Sequence, residues 1–178
     1  MTSLLAIAMV GLPVATTVAA DDPPATISEA KPELLKSTFL LSGLHCPPCT
    51  TTVERSLKGI KGVRSVKVDW TTKNARVEFD EKEVTAQQLA AQIGSTPHMM
   101  GAGMRYAGWL ALKTPGIDTA GASDKAKTAL MAVKGVTAVT VYPQQKALGV
   151  AFAPQGKATT DELLTALKDA GVEATLFP

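Results

Sequence analysis

From Leu35 onward the apolar positions change period every ten residues or so, and each change marks an element. "LLKSTFLLSGL" is a short apolar run and predicts a buried strand. "TTTVERSLKGI" follows with Val53, Leu57 and Ile60 at i, i+4 and i+7, one apolar helical face. Thr50 and Thr51 offer N-cap hydroxyls to that helix, and Gly59 and Gly62 suit its end. Two alternating runs come next, "RSVKVDW" with Val66 and Val68 on one face and "ARVEFD" with Val77 and Phe79 on one face. The short "TTKN" between them makes the pair a hairpin. "VTAQQLAAQIG" predicts a second helix with Leu89 and Ile93 one turn apart, ending at Gly94. Strand, helix, strand, strand, helix is five-sixths of a ferredoxin-like βαββαβ unit.

Sliding the chain on itself by 73 residues brings the same pattern round again. "LKGIKGVRSVKVDWTTKNARVEF" from Leu57 falls on "LMAVKGVTAVTVYPQQKALGVAF" from Leu130, and one inserted residue near Gly156 aligns "TAQQLAAQI" with "TTDELLTAL". The expected fold class is therefore α+β, two ferredoxin-like βαββαβ domains in tandem with antiparallel sheets, at residues 35–104 and 105–178. The first unit needs a fourth strand and the second a first strand, yet His98 to Gly116 has space for little more than one. Met104 to Lys113 is expected to run through both sheets, or the first unit's last strand is short; either way the units are closely joined.

Composition narrows the function classes. Apolar residues make up 46% of the 178, enough for packed cores. Eighteen basic residues against 16 acidic ones give a net charge of +2 with no Lys/Arg block to track a phosphate backbone, which argues against nucleic acid as a partner. The opening carries an uncharged apolar run from Leu4 to Val14, then small residues up to Asp21, and reads as an export signal over residues 1–20. Residues 21–34, rich in proline and charge, read as a linker. No later apolar run reaches the ~18 residues that span a bilayer. The expectation is a periplasmic or secreted protein with no transmembrane segment in the mature chain.

Export sharpens the question of the two cysteines, Cys46 and Cys49, both held in "GLHCPPCT". In an oxidising compartment a lone thiol pair is oxidised unless a metal or a reductant holds it reduced. Three uses compete: clasping a soft metal ion, exchanging electrons as a disulfide, and stapling the fold. Under the 73-residue offset "GLHCPPC" lies on "GIDTAGA", so Thr119 and Ala122 stand where Cys46 and Cys49 stand. The second unit keeps the pattern without the sulfur, and a structural or partner-docking role is expected for it.

These residues carry a family resemblance. "GLHCPPC", followed by Val53, Leu57, "KGV" and the alternating "VKV" and "VEF", resembles the heavy-metal-associated domain of copper chaperones, of copper-pumping ATPases and of the periplasmic mercury-binding protein. The resemblance implies that Cys46 and Cys49 are metal ligands in a protein that catalyses no covalent change. It also implies a partner that takes or gives the metal, a metal-transporting membrane protein or a cupro-enzyme. Two thiolates with no hard oxygen ligand select Cu(I) first and Hg(II) second, and leave Zn(II) short of its four ligands. At the turn from strand to helix, exposed amides and the positive helix end are expected to favour thiolates. Leu44 stands for the family's methionine, and Pro47 and Pro48 for its small residues; each proline removes an amide donor and stiffens the loop. The same "CPPC" also keeps a thiol–disulfide oxidoreductase in view, although the scaffold around it is not thioredoxin-like.

Chain order predicts the neighbours of the loop. In a βαββαβ unit the loops after the first strand, between the second and third, and after the second helix emerge at one end. The last of these holds His98, Met99, Met100 and Met104, three of the chain's six methionines among them, and the hairpin turn carries Trp70 and Lys73. Thioether and imidazole both suit Cu(I). One of His98, Met99 and Met100 is therefore an auxiliary ligand candidate, against the plain alternative that the methionines fill a junction. His45, next to Cys46 in an extended stretch, is expected to project outward.

Overall fold

A computed structural model of the chain describes residues 33–178; the leader and most of the linker expected over 1–34 lie outside the described residues. The elements run β1 (Leu34–Ser42), α1 (Pro47–Lys58), β2 (Val63–Asp69), β3 (Asn74–Asp80), α2 (Ala86–Ser95), β4 (Ala107–Lys113), α3 (Ala120–Ala132), β5 (Val136–Tyr142), β6 (Ala147–Phe152), α4 (Thr160–Asp169) and β7 (Thr175–Leu176). This is an α+β architecture in which the βαββαβ order occurs twice around one shared strand.

The alternation in the hairpin sequences is one of burial. Val66, Val68, Val77 and Phe79 face the core, at most 8% exposed, while Lys67, Arg76 and their neighbours face solvent. Thr85 caps α2 and Thr159 caps α4. In each case the hydroxyl accepts from the amide three residues on, and the side chain at that position, Gln88 or Glu162, accepts from the threonine amide. The expected caps at Thr50 and Thr51 are not used. Helix α1 begins earlier, with Cys46 at its N-cap and Pro47 and Pro48 in its first two positions. Proline suits those places because its φ is already helical and its missing N–H would have had no partner there. Thr50 Oγ1 instead donates to Pro47 O at 2.7 Å, inside the helix.

All strands join one antiparallel sheet in the order β2-β3-β1-β4-β6-β5, with β7 also pairing β4. Strand β4 serves both units, the first of the two arrangements expected for Met104 to Lys113, although it begins only at Ala107. Its first half pairs with β1, from Ser42 opposite Ala107 to Phe39 opposite Leu110. Its second half pairs with β6, and its last two residues with β7. The expected domain boundary at 104/105 thus falls in the lead-in to a strand that both units own. Register sets Phe39, Leu110 and Val150 side by side on the face that packs with Val53, Leu57, Leu89, Ile93, Leu130, Leu163 and Leu167, so the core is continuous across the shared strand.

Two polar contacts close the junction. Gln87, fully buried on the first turn of α2, donates from Nε2 to Ala153 O (2.9 Å) and Gln155 O (2.8 Å), and its Oε1 accepts from Ala158 N (2.8 Å). Glu81 accepts from the amide and the hydroxyl of Thr160, both at 2.6 Å, and so supplies a carboxylate to the N-terminus of α4. Because β1 and β4 are antiparallel, the N-terminus of α1 and that of α3 lie at opposite ends of the sheet.

Candidate metal centre

The loop from β1 to α1 is shaped by what lies behind it. Gly43 adopts φ +82°, and a Cβ on it would overlap the carbonyl oxygen of Arg105, so glycine alone fits. Leu44 turns into the core, 6% exposed, as its apolar character implied, and His45 points outward and is exposed. Cys46 is extended (φ −148°, ψ 150°) and half-buried; Cys49, one helical turn on, is fully buried beside Val53 in the core cluster. The two sulfurs are joined as a disulfide, with the Cα atoms 5.4 Å apart.

The helix end gives these sulfurs less than a helix N-terminus ordinarily offers. Pro47 and Pro48 have no N–H, and the amide of Cys49 donates to Cys46 O at 3.0 Å. The expected crown of exposed amides is therefore absent from the first three positions of α1, which leaves the helix dipole and nearby cations to favour thiolates. Lys73 is the cation the structure brings in. Its ammonium donates to Leu44 O at 3.2 Å and sits 2.9 Å from the centroid of the Trp70 ring. The turn bearing Trp70 and Lys73 is itself held by Asp69, whose Oδ1 accepts from Thr71 N (2.8 Å) and Thr72 N (3.0 Å). The amide of Thr72 foremost holds the Asp69 carboxyl below the usual range, with Thr71 and Arg76 adding to the effect against partial burial.

All three loops do emerge at one end. The segment between α2 and β4 brings His98 against the cysteine loop, 9% exposed, with Nε2 at 2.8 Å from Gly43 O and Nδ1 accepting from Met100 N at 3.1 Å. Its ring packs on Tyr106 at 4.4 Å between centroids and lies 5.7 Å from His45. Both ring nitrogens are thus engaged with backbone. Met99 and Met100 are 55% and 59% exposed, and Met104 is half-buried. Among the described residues no group of three or more His, Cys, Asp or Glu side chains is placed to hold a metal ion. Sequence reasoning missed Tyr106 and Arg105, because a residue that supports a loop from a neighbouring strand carries no local signal.

At the other end of the sheet Thr119 caps α3 where Cys46 caps α1, and Ala122 takes the place of Cys49. Ile117 is buried where Leu44 is buried. The loop's scaffold is reproduced there without a soft ligand.

Comparison with known proteins follows the same outline. The family model for the heavy-metal-associated domain matches residues 38–98. Copper chaperone CopZ of Enterococcus hirae is 34% identical over 59 residues, 33% of this chain and 86% of that protein. Copper-transporting ATPase 2 of Rhizobium meliloti is 28% identical over 149 residues, 83% of this chain; the chain spans only 17% of that pump's length, and 9% of that of the Helicobacter pylori copper-transporting ATPase. Among solved structures, the water-soluble region of the P-type ATPase CopA from Bacillus subtilis shares 20% identity at a TM-score of 0.41, covering 82% of this chain and 93% of that one. With the chaperone matched over most of its length, and the cysteine loop inside the matched segment, the chain belongs to the heavy-metal-associated domain family.

Proposed function

We propose that this protein is an exported carrier of a soft metal ion, Cu(I) first, which it holds between the thiolates of Cys46 and Cys49 and delivers to a metal-transporting membrane protein or a cupro-enzyme. The observation that carries the reading is the placement of the two sulfurs. Cys46 is half-buried in the loop and Cys49, one helical turn on, is fully buried, so an ion held between them is reached by a partner's thiolate from the Cys46 side. A two-coordinate ion is passed on when an incoming sulfur adds before the old one leaves, and a fully enclosed site would forbid that step.

Uptake requires the disulfide to open. A dithiol reductant supplies two electrons and two protons, giving two thiols and its own disulfide; each thiol then gives up its proton as it binds the ion. The chaperone relative supports copper as cargo, and the leader-like opening of the sequence supports a periplasmic or secreted location. The equivalent residues of the second unit, Thr119 and Ala122, support an internal duplication whose second unit lost its ligands and docks a partner or stiffens the first.

The disulfide itself favours a second reading, thiol–disulfide exchange by "CPPC". The full-length reduced protein separates these readings. Loaded with Cu(I), it is expected to pass the ion to a dithiol acceptor domain and to show no turnover of an external disulfide. Preferential retention of Hg(II) in direct competition would point to mercury sequestration, and catalytic disulfide turnover without metal transfer would replace the carrier reading.

A further inference from the structure

We propose that His98 is a positioning residue of the metal loop, acting through its two backbone hydrogen bonds and not as a ligand; this rests on the carrier reading of Cys46 and Cys49. The geometry fixes the proton. Nδ1 accepts from Met100 N–H at 3.1 Å and so carries no hydrogen, which leaves Nε2 as the donor to Gly43 O at 2.8 Å. An imidazole that bound the ion would have to abandon one of these partners, and at a residue only 9% exposed water does not readily replace it.

The bond falls where it controls the sulfur. Gly43 is three residues before Cys46, in a left-handed conformation backed by Arg105 O, and His98 holds its carbonyl. The next carbonyl, Leu44 O, is taken by Lys73 from the hairpin turn. Two consecutive carbonyls are thus gripped by side chains from two different loops, and Leu44 is anchored in the core between them. Tyr106, packed at 4.4 Å on the His98 ring, sets the plane of the imidazole. The result is a loop whose first sulfur is held in place before metal arrives, the usual way a supporting shell strengthens a metal site.

Side-chain length gives a discriminating test. In H98Q the amide nitrogen falls at the place of Nε2 and can still donate to Gly43 O; in H98N the side chain reaches only the place of Nδ1; H98A has neither. Cu(I) affinity of the full-length reduced protein, read by chelator competition, is expected to stay near wild type in H98Q and to fall about tenfold in H98N and H98A. Equal loss in all three variants, or no loss in any, overturns the proposal. A second measurement needs no variant: ring ¹⁵N shifts of His98 are expected to show a protonated Nε2 before and after Cu(I) loading, and a shift of either nitrogen to a metal-bound value overturns it. If wild-type protein bound no Cu(I), the carrier reading would fail separately. Amide exchange at Gly43 to Cys46 would then decide the positioning role, with faster exchange in H98A than in H98Q supporting it and equal rates refuting it.

Discussion

Lys73 and Lys146, 73 positions apart, both adopt a left-handed backbone, with φ of 51° and 48°. Each carbonyl accepts an amide from the end of the first strand of its own unit or the residue just past it, Leu41 N at 2.8 Å and Thr114 N at 2.7 Å, which are themselves 73 positions apart. The backbone role is the same in both, and the side chains differ. Lys146 is exposed, while the Lys73 ammonium lies on Leu44 O over Trp70. Lys73→Met is therefore expected to keep the fold and lower Cu(I) affinity about three- to tenfold at neutral pH, by removing a cation that lies on the loop. Lys146→Met, the control, is expected to change neither stability nor affinity. Chelator competition and thermal melts on both variants check this.

Gly43→Ala tests the wedge behind the loop. A side chain at φ +82° costs about 1–3 kcal/mol in backbone conformation alone, and overlap with Arg105 O adds to it. The variant is expected to melt several degrees below wild type and to lose metal affinity, because Gly43 cannot keep its place under His98. An unchanged melting temperature would show that the loop has freedom the hydrogen bonds deny it.

Gln87 joins the two units through three hydrogen bonds to the β6–α4 connection. Gln87→Ala strands one buried amide and two part-buried carbonyls, and is expected to cost about 1–3 kcal/mol in urea unfolding. The transition should remain single, since the core and β4 are shared. Separate unfolding of the two halves in wild-type protein would contradict the continuous core.

Acid should loosen the hairpin turn beside the loop. The Asp69 carboxyl is held low, chiefly by the amide of Thr72, so its contribution is complete above the ordinary carboxylate range. As pH falls below about 4 the unfolded chain takes up a proton first, and the contribution disappears once pH passes the lowered folded value. Glu78, held low by the Lys36 ammonium 2.9 Å away, acts in the same direction. Asp69→Asn keeps an acceptor oxygen without the charge. The gap in melting temperature between wild type and Asp69→Asn is therefore expected at pH 6 and should close as pH falls through the lowered folded value. A gap that widened on acidification would assign the turn to another interaction.

The elements were legible wherever burial is one-sided. Val66, Val68, Val77 and Phe79 announced their strands because a strand's two faces meet different surroundings, and Val53 and Leu57 announced α1 for the helical equivalent of that reason. Length alone showed that the two units are closely joined and narrowed β4 to a shared strand or a short one; the pairing decided for the shared strand. The start of α1 was misread because Pro47 and Pro48 look like loop residues, yet proline is at home in a helix's first turn. The contacts of His98, Glu81 and Gln87 were beyond reach: each pairs with backbone 55 or more residues away, and a backbone carbonyl has no sequence signature. The sulfur pair was found from its spacing; the clamps around it required coordinates.

The central claim is that Cys46 and Cys49 bind a soft metal ion as a pair. Cu(I) titration of the fully reduced, full-length protein against a chromophoric chelator tests it directly, in wild type and in the Cys46→Ser/Cys49→Ser variant. One tightly bound Cu(I) per chain in wild type, lost in the double variant with the melting temperature of the reduced proteins little changed, is the predicted result. A wild type that leaves copper with the chelator, or a variant that holds it equally well, would contradict the account.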